Sequence, residues 1–212
     1  MARADWSRCG GIHAAGCPAC IGATIGGSPV AWKFGAACDE GVSVLEIDTG
    51  RLRLRPITAD DFEAHARITS DPEVMRYIHD GALSRAQAWW NIARYVGHWH
   101  LRGYGIFAAV EQSSGDVIGH MGFLNPEGGR GFELGWALAR SAWGKGYALE
   151  GTRALVAHAF DELDQRHIAC VIHADNVRSI RIAERLGAAL EREEAEGGKR
   201  LLIYGIVRPG RS

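Results

Sequence analysis

The feature that most constrains this fold is a glycine pair, Gly144-Lys145-Gly146, set between an alternating apolar segment and a helical pattern. A helix N-terminus presents unpaired N–H groups and a partial positive charge, so a phosphate is attracted to it. Glycines remove the Cβ atoms that would hold an anion away from the backbone, and Lys145 adds a cation. A plain strand-to-helix turn would use the same residues. The dinucleotide-binding fingerprint does not fit, because its third glycine position holds Leu149 and the preceding strands read as antiparallel.

The surrounding pattern fixes the order of elements. Leu52 and Leu54 alternate with Arg51, Arg53 and Arg55 in a half-buried strand stopped by Pro56. Thr58 to Asp61 has the spacing of a helix cap with an acid at its third position, opening a helix through Ile68. Asp71-Pro72 starts a short helix, and Ser84 to Gln87 is a second capping box. Ala88, Trp89, Ile92, Val96 and Trp99 then recur at helical spacing up to Gly103. Tyr104–Glu111 and Val117–Leu124 read as a hairpin, and Phe132–Leu138 as a third strand. After the glycine pair comes a helix with Leu149, Thr152, Leu155, Val156, Ala159, Phe160 and Leu163 on its apolar side. Ile168–Ile172 is apolar throughout, as in a fully buried strand. A helix from Asn176 to Leu186 ends at Gly187, and a last hairpin turns at Gly197-Gly198. This succession predicts a mixed α+β layer and not a regular βαβ array.

Composition narrows the classes of partner. The 212 residues carry a net charge of −1, whereas affinity for nucleic acid comes from an excess of Lys and Arg. No apolar run is long enough to span a bilayer. Cys9, Cys17, Cys20 and Cys38 precede residue 40, and only Cys170 follows, so the main body reads as thiol-poor and cytoplasmic. Residues 1–48 are expected to be a disordered leader or sequence upstream of a misplaced start, and residues 49–210 one domain. Cys17-Pro18-Ala19-Cys20 has the form of half a zinc site, but Cys9, His13 and Cys38 stand isolated from it, so no metal is expected. Glycines and cysteines break up any signal-peptide core. Gly35-Ala36-Ala37-Cys38 only faintly matches a lipoprotein cleavage box.

Glu133-Leu134-Gly135-Trp136-Ala137-Leu138, then Trp143-Gly144-Lys145-Gly146-Tyr147-Ala148 and Glu150, resembles the central motif of GNAT acetyltransferases. Asn176-Val177-Arg178-Ser179 through Glu184-Arg185-Leu186-Gly187 resembles that family's next motif. Leu52-Arg53-Leu54-Arg55-Pro56 with Asp71-Pro72-Glu73-Val74-Met75 is similar to the RimJ/RimL-like branch, which acetylates ribosomal-protein N-termini. The resemblance covers about residues 50–208. It implies a mainly antiparallel twisted sheet flanked by helices, with a central strand pair splayed into an acyl-CoA cleft. It further implies acetyl-CoA as co-substrate, an amine acceptor (a small molecule or a protein N-terminus), and a monomer or homodimer. Trp143 to Ala148 would then wrap the pyrophosphate, and the backbone of Trp136, Ala137 and Leu138 would pair with the pantetheine. Asn176 would bond the pantetheine, and Ser179 would lie near the sulfur. Two positions depart from the family: Ser141 replaces a common Gln or Arg, and Ala183 stands where many members carry an acidic Tyr, which shifts that role to Ser179 or water.

The implied reaction is attack of a neutral amine on a thioester. A lysine amine is neutral in about one molecule per thousand near pH 7.4, whereas an α-amine is neutral in roughly a third. An α-amine therefore needs only a modest base. Glu133 is the first candidate, sharing a strand face with the small residues Gly135 and Ala137, while the same carboxylate could simply solvate the sheet. His120 and His173 are alternative bases, each also readable as structural. Cys170, inside the most apolar strand, reads as an inert buried thiol. Trp90 is the candidate lining for the acceptor pocket, with Trp89 and Trp99 expected in the core.

Overall fold

The structure, a computed structural model, describes residues 45–78 and 80–210, together with the backbone of Gly22–Ile25 (β1) and Ser28–Ala31 (β2). The chain divides into two units at residues 43 and 44. In the first, β1 and β2 pair antiparallel, with Gly22 opposite Ala31, although no periodicity marks them in the sequence. Cys9, His13, Cys17, Cys20 and Cys38 lie outside the described residues.

In the second unit a sheet of eight strands is flanked by helices. Its strands are β3 (Ile47–Asp48), β4 (Leu52–Pro56), β5 (Ile106–Glu111), β6 (Val117–Leu124), β7 (Glu133–Leu138), β8 (His167–His173), β9 (Ala189–Glu196) and β10 (Lys199–Val207). Their spatial order is β3-β4-β5-β6-β7-β8-β10-β9. Every neighbouring pair is antiparallel except β7 and β8. The helices are α1 (Phe62–Thr69), α2 (Pro72–Met75), α3 (Arg85–Arg102), α4 (Tyr147–Asp161) and α5 (Val177–Arg185).

Local chemistry sets the helix ends. Asp61 Oδ2 accepts from the Thr58 N–H at 2.8 Å, completing the cap before α1. Asp71 Oδ1 accepts from the Glu73 N–H at 2.9 Å, with Pro72 opening α2. Gln87 reaches back to the Ser84 N–H at 2.8 Å, and α3 stops at Gly103, whose φ is +74°.

The two sheet faces are packed differently. Leu52, Phe107, Met121, Leu134, Leu138 and Leu155 form the main core, in which α4 lies across the sheet. Gly151 permits that approach, since a Cβ there would meet Met121 Sδ at 2.3 Å. On the opposite face Ile57, Ile92, Tyr95, Ile106 and Ala108 pack together with α3. The inward side of α3 differs from the expected one. Trp89 is 47% exposed and meets Phe62 edge-on, while Asn91 and His98 are buried. Buried partners account for this: His65 Nε2 bonds Asn91 Oδ1 at 3.0 Å, and His98 Nε2 accepts from the Asn125 N–H at 3.0 Å. Trp99 does pack inward, donating to the Ile106 carbonyl and contacting Phe107.

Candidate active site

β7 and β8 share one register pair, Glu133 opposite Ala169, closed by the Ala169 N–H donating to the Phe132 carbonyl at 2.9 Å. Beyond it the strands part, and a cleft of about 790 Å³ opens toward the glycine loop and the start of α5. Peptide groups alternate sides along a strand. Ala139 donates to the Ile118 carbonyl of β6, and Phe132 faces β8, so Trp136 and Leu138 direct their N–H groups into the opening. Ala137 lines the cleft too, but it is out of phase with its neighbours, its peptide facing β6. Its methyl group packs with Ile68, Val74 and Met75. The Leu138 carbonyl accepts from Trp143 Nε1 at 2.9 Å.

The loop has the shape of an anion nest. Gly144 and Gly146 have φ of +73° and +84°, flanking Lys145, and α4 begins directly after them. The early N–H groups of α4 have no acceptor within the helix and face the same place. Gly144, Gly146, Tyr147 and Ala148 line the cleft, as do Trp136 and Trp143. Lys145 contributes differently, because its side chain is not part of the wall and its carbonyl is held by Arg51 Nη1 at 2.9 Å.

A brace that sequence reasoning missed holds this loop. The Arg51 guanidinium lies 4.6 Å from the centre of the Tyr147 ring and pairs with Glu150 at 2.5 Å. Glu150 also accepts from Thr49 Oγ1 at 2.6 Å and from the Arg51 N–H at 2.8 Å. Burial opposes ionisation of Glu150, but these donors outweigh it and hold its carboxyl below the usual range. The Tyr147 hydroxyl donates to Glu111 Oε1, and that carboxylate raises the phenol's pKa.

At the opposite wall, Asn176 caps α5 by accepting from the Ser179 N–H at 3.2 Å, and both residues line the cleft. With its Oδ1 used in the cap, the amide NH₂ of Asn176 is its group for a ligand. Ala183 is fully buried in the main core, so the family's tyrosine position points away from the cleft. Tyr77, also missed in the sequence, does line the cleft, with its ring 5.2 Å from that of His173. The Asp71-Pro72-Glu73-Val74-Met75 motif just before it was the available signal for this segment.

The remaining candidates are dispersed. Glu133 sits at the vertex where the strands part, outside the cleft wall, and its Oε1 accepts from the Arg130 N–H at 3.3 Å. On its face an added Cβ at Gly135 would meet nothing within 4 Å, so the space beside it is open. His120 is buried beside the rings of His65 and Tyr95. His173 Nδ1 accepts from the Asp175 N–H at 3.1 Å, which places the proton of the neutral ring on Nε2 and makes it a donor. Cys170 is fully buried, and burial pushes its thiol up to about 12. Trp90 is 72% exposed and lines a separate hollow of about 370 Å³ with Asn91 and Arg94. Among the described residues no group of His, Cys, Asp and Glu could hold a metal ion, and no helix is long and apolar enough to cross a membrane.

An open sheet with one splayed parallel pair, an anion nest and a capped helix facing it make a cleft suited to a phosphate-bearing ligand. Residues 51–189 match the family described as the acetyltransferase (GNAT) domain, and the chain belongs to that family. It is 27% identical over 147 residues to the uncharacterized N-acetyltransferase YnaD of Bacillus subtilis (strain 168), covering 69% of this chain and 84% of that protein. An acetyltransferase structure from Agrobacterium tumefaciens superposes with a TM-score of 0.71 at 26% identity, covering 80% of this chain and 98% of that one. RimL, a ribosomal L7/L12 alpha-N-protein acetyltransferase in complex with coenzyme A, shares the fold at 19% identity, with a TM-score of 0.65 and coverage of 77% and 98%.

Proposed function

We propose that this protein transfers the acetyl group of acetyl-CoA to a primary amine by direct attack on the thioester. The observation that carries this reading is the parting of β7 from β8 after a single rung, with the opening leading to the glycine loop. In it, the amides of Trp143 to Ala148 hold the pyrophosphate, and the peptide groups of Trp136 and Leu138 align the pantetheine with help from the Asn176 amide. The Trp136 N–H polarises the thioester carbonyl. Glu133, at the vertex, takes the proton as the amine attacks. Ser179 returns a proton to the leaving thiolate, since position 183 offers no group.

The modest demand an α-amine makes on its base, together with the likeness to RimL, favours a peptide N-terminus as acceptor, with the hollow at Trp90 receiving the residues behind it. A small-molecule amine is the other acceptor class. The buried Ala183 favours one second reading, a non-catalytic acyl-CoA sensor. Free-thiol release from acetyl-CoA, measured across peptide and small-molecule amines, tests all three. Release with peptides supports the proposal, and release only with small amines moves the acceptor class. Coenzyme binding with no release on any amine leaves the sensor.

A further inference from the structure

Glu133 is the first residue of β7, and among the described residues the Arg130 N–H is the one hydrogen-bond donor to its carboxylate. Nothing local fixes that N–H. The turn carries Gly128 and Gly131 on either side of Arg130, with φ of +71° and +100°, and a Cβ at either would meet nothing within 4 Å. Its own backbone bond, from the Gly129 N–H to the Pro126 carbonyl at 3.0 Å, closes before Arg130 is reached. A turn built this way does not by itself hold a peptide group in one direction, because glycine leaves both signs of φ open.

The Arg130 side chain supplies the missing restraint. Its Nε bonds Glu194 Oε2 at 2.7 Å, and its Nη2 bonds Glu196 Oε2 at 2.5 Å. Alternate residues of a strand point the same way, so these two carboxylates share a face of β9 that a forked guanidinium can span. Arg192 Nε holds the other oxygen of Glu194 at 2.8 Å. β9 is the outermost strand, two places beyond β8, so the guanidinium ties the turn ahead of β7 to the far side of the β7–β8 gap. Exposed ion pairs add little to stability, but this arginine is only 26% exposed and bonds two acceptors. Its effect is on direction: with the side chain held, the peptide group of the same residue stays aimed at Glu133.

We infer, on the reading of Glu133 as the base, that Arg130 is its positioning residue: the paired guanidinium fixes the turn, and the N–H then holds the carboxylate where the amine attacks. A general base works only within hydrogen-bond reach of the proton it takes, about 2.6–3.2 Å. The open space beside Gly135 gives an untethered glutamate room to swing out of that reach. Glu194 and Glu196 act on the same carboxylate through Arg130.

Thiol release from acetyl-CoA by the full chain, with the amine that reacts fastest in the screen above, tests this in a double-mutant cycle. R130Q should lower kcat by about tenfold to a hundredfold, the scale of a misplaced catalytic group, with KM for acetyl-CoA unchanged. E194Q/E196Q, which cuts the same contacts from the other end, should lower kcat as much. In an E133Q background R130Q should cost nothing further, because the group it positions is gone. Circular dichroism should show every variant folded. Loss of the fold in R130Q, a parent-like kcat in it, a loss that persists in the E133Q background, or a full rate in E194Q/E196Q would each overturn the positioning role and leave Glu133 as the base. An E133Q rate equal to the parent's would remove the base reading and the positioning role together. No release from the unaltered protein on any amine would remove both along with the transferase reading.

Discussion

Arg51 and Glu150, far apart in sequence, form an ion pair at 2.5 Å that clamps the start of β4 to the helix behind the glycine loop. The same guanidinium binds the Lys145 carbonyl. Replacing Arg51 with Ala should therefore loosen the loop without opening the core. The expected loss is roughly 1 kcal/mol of coenzyme affinity, or about fivefold in Kd by titration calorimetry. Arg51→Lys should recover little of it, because an ammonium cannot reproduce the forked contacts. Full affinity in either variant would show that the loop keeps its shape unaided.

Gly146 tests the loop from inside. Its φ of +84° strains any side chain, and an added Cβ would lie 3.4 Å from Arg51 Nη2. Gly146→Asp adds a carboxylate to the nest, and coenzyme affinity should fall by more than about tenfold, reflecting strain and like-charge repulsion. Gly128→Ala is the control, since its φ is +71° with open space around it. That change should lower the melting temperature slightly and leave coenzyme affinity as it was.

For Glu133, the test is the pH dependence of the rate. Glu133→Gln should lower kcat/KM by about a hundredfold, the lower range for loss of a general base. It should also remove the acid limb of the pH–rate profile while coenzyme affinity is unchanged. A profile identical to that of the parent would assign the proton to another acceptor.

Asp61 links pH to stability. Burial favours its neutral form, but bonds from Arg55 and Thr58 outweigh this and hold the carboxyl below its usual value of 3.8. Arg55 reaches both oxygens, at 2.7 and 2.8 Å. A depressed folded-state pKa means stability that is present above the unfolded value and is lost as pH falls through the folded one. Chemical denaturation should thus show an acid-sensitive component below about pH 4, set by the unfolded carboxyl. Asp61→Asn should cost roughly 3 kcal/mol at neutral pH and flatten that component. An unchanged acid limb would place the sensitivity elsewhere.

The elements were legible because most obey one periodicity: the strand pattern at Leu52 and Leu54, the caps at Thr58 and Ser84, and the apolar side of α4 all appear in the structure. The glycine loop was legible because its chemistry is local. What escaped depends on distant partners. The inward side of α3 is set by His65 and by the Asn125 N–H, so polar Asn91 and His98 displaced Trp89 from the expected core. The Arg51 brace joins residues 94 and 99 positions apart. Strand alternation alone could not say that the peptide of Ala137 faces β6, because that phase is set by pairing on both sides of β7.

The lone rung between Glu133 and Ala169 makes the sheet two boards joined at one end. On one board the strands from β3 to β7 are laced throughout, and on the other β8, β10 and β9 are laced equally. A small twist about the joint can widen or narrow the gap while breaking almost no backbone bonds. Amide exchange should record this directly. The N–H groups of Trp136 and Leu138 should exchange quickly beside a protected Ala137, and slow together when coenzyme spans the gap.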